Sequence, residues 1–318
     1  MSVYPALLAL LVVMGLIPVQ TRVFKAYGVV QPIRKELPAD QQKKRGTPLM
    51  GGIVFLVSAC ILVWTNGSPD SLFLAALFLS FAFIGFLDDF KKAYAKSPDG
   101  ISGKTKLVLQ TVVTAAALYY LVHYNALDWT LPITRDLSLD VPLLVFLVGV
   151  GLIIVGSTNA INFTDGLDGL LSVVAIPSYF FFFVISQNVD VKLFCMLMMA
   201  CLLGFLFYNR YPAKLIMGDT GSMAIGGSLS ILAVMEHVVI LLPVLFLVYF
   251  AEILSVVIQV SYFKRTGKRI FRMSPIHYHF SLKYGWKENT IVMVFGSVSW
   301  ACALFCIGYY ELFLRTVS

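Results

Sequence analysis

Ten stretches of the chain are apolar for about the length a helix needs to cross hydrocarbon, and this repetition excludes most folds before any single residue is considered. A bilayer core about 30 Å thick takes roughly 17–25 apolar residues per helix. The runs lie near 2–19, 50–65, 72–87, 107–124, 141–157, 170–186, 193–208, 222–235, 238–263 and 290–313. They are continuous, which argues for helices and against the alternating ten-residue segments of an outer-membrane barrel. With 59% hydrophobic and 13% charged residues, the chain is also more apolar than soluble domains usually are. The expectation is an all-α polytopic membrane protein of about ten transmembrane helices, one integral-membrane domain over residues 1–318. The eighth run is short and contains glycine, and the ninth is long and carries Glu252, so either is open to being broken or tilted. No basic residue precedes the first run and no small-residue cleavage pattern follows it, so it is expected to remain as a span. Cys60, Cys195, Cys201, Cys302 and Cys306 all fall inside apolar runs without metal-site spacing, and are expected to be packing residues.

Lysine and arginine set an orientation. If ten spans alternate sides, the loops at 20–49, 88–106, 158–169, 209–221 and 264–289 share one face. They hold seven, five, none, two and seven basic residues, 21 of the 24 in the chain, leaving Arg135, Lys192 and Arg315 on the other face. Such a bias marks the cytoplasmic side, so both termini are expected to be extracytoplasmic. Topogenic lysines near anionic lipid account for the net charge of +7. No basic helix or aromatic–basic platform lies outside the loops, so no nucleic-acid partner is expected.

The same loops collect polar residues that topology does not require. Asp88 and Asp89 stand side by side where the third run ends, followed by Lys91 and Lys92. Adjacent carboxylates repel, so one is protonated or both are neutralised by a cation, unless they are only a solvated helix end. Asn162, Asp165 and Asp168 recur every third residue with Gly166 and Gly169 between them, a spacing that stacks polar groups on one helix face where a ligand can approach closely. Asp219 lies between Gly218 and Thr220–Gly221 at a helix start, suited to a hard cation with access for phosphate oxygens, or to an ordinary N-cap. His277 and His279 lie two apart, without the four-residue spacing of a helical zinc site. Oxygen-rich acids with lysines, arginines and histidines argue for Mg²⁺ and diphosphate chemistry.

Six motifs in order resemble the polyprenyl-phosphate N-acetylhexosamine-1-phosphate transferase superfamily, and within it the phospho-N-acetylmuramoyl-pentapeptide transferase branch. They are Gly46-Thr47-Pro48-Leu49-Met50-Gly51-Gly52, Asp88-Asp89, Ser102-Gly103-Lys104-Thr105-Lys106, the 162–169 stretch, Met217-Gly218-Asp219-Thr220-Gly221-Ser222, and Ser274-Pro275-Ile276-His277-Tyr278-His279. Two positions depart from the branch: Tyr278 replaces the middle of three histidines, and Ile216 stands where phenylalanine is common. The middle histidine's role is therefore not carried over.

The resemblance implies transfer of phospho-MurNAc-pentapeptide from UDP-MurNAc-pentapeptide to undecaprenyl phosphate, with release of UMP, at the cytoplasmic face of a bacterial inner membrane. It also implies Mg²⁺ and a homodimer. On the matching positions, Asp219 is expected to bind Mg²⁺, and Asp88, supported by Asp89, to act as base toward the lipid phosphate. Lys92, Lys104 and Lys106 are expected to meet phosphates, Asn162, Asp165, Asp168 and Asn209 to line the nucleotide site, and His277 and His279 to bind diphosphate or sugar. The nearest rival is a sister enzyme that moves GlcNAc-1-phosphate from UDP-GlcNAc. A transporter would call for acids at mid-bilayer and repeated halves, whereas only Glu252 lies clearly inside a run and no internal repeat is visible.

Overall fold

The structure, a computed structural model, describes residues 2–32, 42, 44–124, 127 and 129–315. Arg34, Lys35 and Lys43, counted above toward the basic face, lie outside the described residues. Each of the ten apolar runs falls on helix. In chain order these are α1 (Tyr4–Ala26), a 3-10 turn (Gly51–Phe55) leading into α2 (Leu56–Thr65), α3 (Pro69–Ala95), α4 (Gly103–Tyr124), α5 (Leu143–Thr164), α6 (Leu170–Ile185), α7 (Val189–Asn209), α8 (Gly218–Met235), the short α9 (Leu242–Leu245), α10 (Leu247–Thr266), α11 (Ile276–Tyr284) and α12 (Glu288–Tyr309). Seven of them are long and apolar enough to cross a membrane: α1, α3, α4, α5, α7, α10, and α12 with its continuation to Leu314. The fold is thus all-α and polytopic.

The ninth run is broken. It opens with a 3-10 turn (Val239–Leu241) and α9, and interrupts at Phe246 before α10 begins. Pro243 sits in the first turn of α9, where its missing N–H is harmless. One short hairpin, Thr130–Pro132 against Ser138–Asp140, departs from the expectation of no strands; it lies in the loop between α4 and α5. α3 outruns its apolar stretch by two turns, so Asp88, Asp89 and Lys92 stand on one continuous helix.

α8 is the hub. All its residues from Thr220 to Val234 are buried, although it holds four glycines and three serines. Those small residues explain how it fits: they let neighbouring backbones come close, as in helix pairs within membranes. A methyl group added to Gly226 would lie 2.7 Å from the Cα of Thr158 on α5, and one added to Gly227 would lie 2.2 Å from the Phe81 ring on α3. Gly85 of α3 is tighter still, with such a methyl 2.0 Å from the carbonyl oxygen of Asp219. The glycine-bearing eighth run is therefore enclosed by protein, with α3 and α5 on its flanks.

At the end of the bundle away from the motifs, polar side chains tie loops together. Asp190 accepts hydrogen bonds from Ser68 (2.6 Å), Ser71 (2.7 Å) and Asn66, joining the α2–α3 turn to the start of α7. Asn188 caps α7 through the backbone N–H groups of Asp190 and Val191 and also donates to Asp70.

Substituting Gly85→Ala is expected to destabilise the protein by about 1–3 kcal/mol through overpacking. Gly149→Ala on α5 has open space around it and should not destabilise the protein, if anything raising stability by about 0.5–1 kcal/mol. Thermal unfolding of the two detergent-purified variants checks this, and equal melting temperatures would contradict the close α3–α8 approach.

Candidate active site

The site is built where α3 ends and α8 begins. The backbone N–H groups at the start of α8 have no partners inside their own helix, and they form a local positive pole. Asp89 answers it from α3. One of its oxygens accepts from the Asp219 N–H (3.1 Å), and the other from the Thr220 N–H (2.9 Å) and hydroxyl (2.7 Å). Gly218, with φ +75°, leaves room for this carboxylate; a Cβ there would lie 2.6 Å from it. Asp89 thereby fixes Asp219 beside Asp88, and the three aspartates offer oxygens within 4.8 Å of one another.

Two lysines hold this cluster together. Lys92, one turn after Asp88, contacts it at 2.6 Å, Asp219 at 3.3 Å and Asp89 at 3.8 Å. Lys106, near the start of α4, contacts Asp219 at 2.6 Å and Asp88 at 3.2 Å. The loop before α4 closes over Asp88: the Ile101 N–H donates to it at 3.0 Å, and a Cβ on Gly100 would lie 2.2 Å from its oxygen. Lys104, by contrast, is exposed on the first turn of α4.

The turn after α5 brings a further acid. Burial and the charges of Asp219 and Asp89 hold the Asp165 carboxyl well above the usual carboxylate range, against the pull of Lys44. Asn162 donates to the Ser222 hydroxyl at 2.8 Å on α8. Among the described residues, Lys92 and Lys106 pair with Asp88, Asp89 and Asp219, and the charge of Lys44 reaches Asp165, three cations against four acids before any phosphate enters. That donor set, all oxygen and in excess, fits a hard divalent cation such as Mg²⁺ better than a soft metal.

Asp168 and Asn209 play another part here. Asp168 accepts from the Ala213 N–H (2.8 Å) and pairs with Lys44 (2.6 Å), which also meets Glu288 at the start of α12 (2.7 Å). Asn209 accepts from the Gly169 N–H (3.0 Å) and donates to the Leu215 carbonyl (2.9 Å). Both side chains are occupied in clamping the 165–169 turn to the loop before α8. Sequence reasoning did not single out Lys44 or Glu288, because one was counted as topogenic and the other merely opens a span.

The two histidines separate. His277 is fully buried, with Nδ1 3.0 Å from Glu252 of α10 and its ring edge against Gly166. Tyr278 donates its hydroxyl to the Gly166 carbonyl at 3.2 Å, so the tyrosine that replaces a histidine helps hold the same turn. His279 stands on the rim: its Nδ1 accepts from the Arg272 N–H at 3.0 Å, and burial, Lys283 and Arg272 lower its pKa.

Known proteins match this chain over most of its length. The family model described as "Glycosyl transferase family 4" matches residues 71–237, which span α3 to α8. A Clostridium acetobutylicum protein named phospho-N-acetylmuramoyl-pentapeptide-transferase is 42% identical over 275 residues, 85% of this chain and 86% of its own. One of the same name from Bacillus subtilis is 40% identical over 295 residues, covering 89% of this chain and 90% of its own. The chain belongs to glycosyl transferase family 4. The family match takes in Asp88, Asp89, Lys92, Lys106, Asn162, Asp165 and Asp219, so the acidic cluster lies within the shared part of this glycosyl transferase. His277 and His279 lie beyond it.

Two expectations follow for the purified transferase. Asp89→Ala should lower stability by about 1–2 kcal/mol, the scale of a lost helix cap, and a melting temperature equal to wild type would contradict the capping geometry. For Asp165, a folded pKa above the unfolded one means that stability present at low pH is lost as pH rises. Asp165→Asn should therefore be neutral near pH 4 and stabilising near pH 8, measured as the melting-temperature difference between variant and wild type (about 4 being the ordinary carboxyl pKa).

Proposed function

We propose that this protein transfers phospho-MurNAc-pentapeptide from UDP-MurNAc-pentapeptide to undecaprenyl phosphate, releasing UMP and forming lipid I, the first lipid-linked peptidoglycan intermediate. The observation that carries this reading is the cluster of Asp88, Asp89 and Asp219 bridged by Lys92 and Lys106, in a chain about 40% identical to transferases of that name. The 21 basic residues on one face support a bacterial inner-membrane protein of ten spans with extracytoplasmic termini and a cytoplasmic site. It works as a single membrane domain and a homodimer.

Phosphoryl transfer is mainly a problem of position and charge. Asp219 would hold Mg²⁺, with Asp88 close enough to share it. Bound there, the cation would supply charge neutralisation for the diphosphate. Asp88 orients and deprotonates the lipid phosphate, and Asp89 keeps Asp88 and Asp219 in register through its hold on α8. Lys92 and Lys106 leave their carboxylate partners for incoming phosphates, and exposed Lys104 meets the diphosphate at the rim. Asn162 and Asp165 contact the nucleotide, with Asp168 and Asn209 shaping the turn that carries Asp165. His277 and His279 face the sugar-phosphate side.

The acceptor's chain has a place beside this cluster. An apolar groove of about 600 Å³ runs between α2 and α3, lined by Ile53, Leu56, Leu79, Phe83 and Phe86, and reaches Thr220. A prenyl tail lying there would stay in an apolar medium while its phosphate meets polar groups.

The test is UMP release by detergent-purified protein with undecaprenyl phosphate, Mg²⁺ and either UDP-MurNAc-pentapeptide or UDP-GlcNAc. Release is expected only with the muramoyl substrate; release only with UDP-GlcNAc would reject the sugar assignment. Chelation should abolish turnover, and Asp219→Asn should lower kcat by roughly 10²–10⁴-fold, the range for loss of a key charge-stabilising group. Full turnover of that variant in Mg²⁺ would reject the role given to Asp219.

A further inference from the structure

Glu252 is an acid in an otherwise apolar stretch of α10, and neither the carboxylate cluster nor the proposed chemistry uses it. It is fully buried, as is His277. Burying a carboxylate without a partner costs several kcal/mol, and a well-packed apolar residue of similar size would serve packing as well or better. An acid at membrane depth therefore points to a task. Among the described residues no lysine or arginine pairs with it; both of its oxygens turn to His277. One lies 3.0 Å from the ring Nδ1, and the other is 3.4 Å from the His277 backbone N–H.

The rest of the His277 surroundings leaves the ring one orientation. The Tyr278 ring packs edge-on at 4.2 Å between centroids. A Cβ on Gly166 would lie 2.4 Å from Nε2 and 2.5 Å from Cε1, so the backbone of the 165–169 turn rests on the far edge of the imidazole. Nε2 itself is buried and, among the described residues, without a hydrogen-bond partner. An unpartnered buried nitrogen is unfavourable, a cost relieved when a ligand group reaches it. It faces the turn that carries Asp165.

We infer, on the transferase reading above, that Glu252 is a positioning residue: it fixes the His277 ring and keeps the proton on Nδ1, so that Nε2 is the nitrogen turned to the 165–169 turn and to the substrate bound there. A histidine whose second nitrogen is held by a carboxylate has its tautomer and direction set by that partner. Glu252 reaches the substrate only through His277.

The chain has four histidines, few enough for ¹⁵N-histidine labelling in detergent micelles, with the His277 signals assigned by their loss in His277→Gln. The wild-type ring should carry its proton on Nδ1 with Nε2 bare, and Glu252→Ala should abolish that preference. In UMP release, Glu252→Ala should lower kcat on the order of 10–100-fold, the usual cost of removing such a supporting partner, with KM for the UDP-sugar changed less than about threefold. Glu252→Gln keeps an oxygen that accepts from Nδ1–H and should recover most of the lost kcat. A wild-type ring protonated on Nε2 alone would overturn the inference, as would a folded Glu252→Ala with wild-type kcat or a Glu252→Gln as slow as the alanine variant. Should the alanine variant fail to fold, the wild-type spectrum and the glutamine variant decide. The spectrum is read without substrate: absence of UMP release by wild type would reject the transferase reading, while the nitrogen signals would still decide whether Glu252 positions the ring.

Discussion

The grip of Asp89 on the first turn of α8 is the contact on which the site's geometry depends. It joins the end of one long helix to the start of another through three hydrogen bonds to two consecutive residues. A carboxylate at a helix N-terminus is favoured both by the free N–H groups and by the dipole. Because Asp88 precedes it on α3 and Asp219 donates to it from α8, this one contact sets the distance between the other two acids. The close α3–α8 approach at Gly85 serves the same end: a side chain there would push Asp219 away from the pair.

Around that centre the polar residues divide into those that face one another and those that hold loops. Lys92 and Lys106 bridge acids across the α3, α4 and α8 boundary and are only partly exposed. Asp168, Asn209, Lys44, Glu288 and Tyr278 instead tie four loops around Gly166 and Gly169. The second group makes the first possible, since the turn after α5 carries Asp165 and has no regular secondary structure to fix it. Buried loops are tolerated only where protein satisfies their backbone groups.

Much of this was legible in the residues. Continuous apolar runs located every long helix, because hydrocarbon imposes a minimum length that few other constraints mimic. That Asp88, Asp219 and the 162–169 stretch share one site followed from the family resemblance carried by the six motifs. What could not be read was which polar atom is spent on which partner. Asp88 and Asp89 are neighbours of identical chemistry, yet a helix rotates successive side chains by about 100°, so one faces the lysines and the other the tip of α8. Asp168 and Asn209 carry the same ambiguity: polarity in a loop announces a hydrogen bond without saying to what, and both side chains bond protein backbone. The length of the ninth run and its Glu252 left it open to a break, but the place of that break at Phe246, like the hairpin at 130–140, is set by tertiary packing and loop length, which leave little periodic trace.

α8 carries a consequence for how the chain is made. Its opening residues, Gly218-Asp219-Thr220-Gly221-Ser222, and its internal serines and glycines suit it poorly to hydrocarbon, and in the folded protein its surroundings are side chains rather than lipid. Both helices that form its socket, α3 and α5, lie earlier in the chain. The ribosome therefore completes the socket before it synthesises the helix that fills it, and α8 can pass from the insertion machinery to its neighbours without first having to be stable alone in the bilayer.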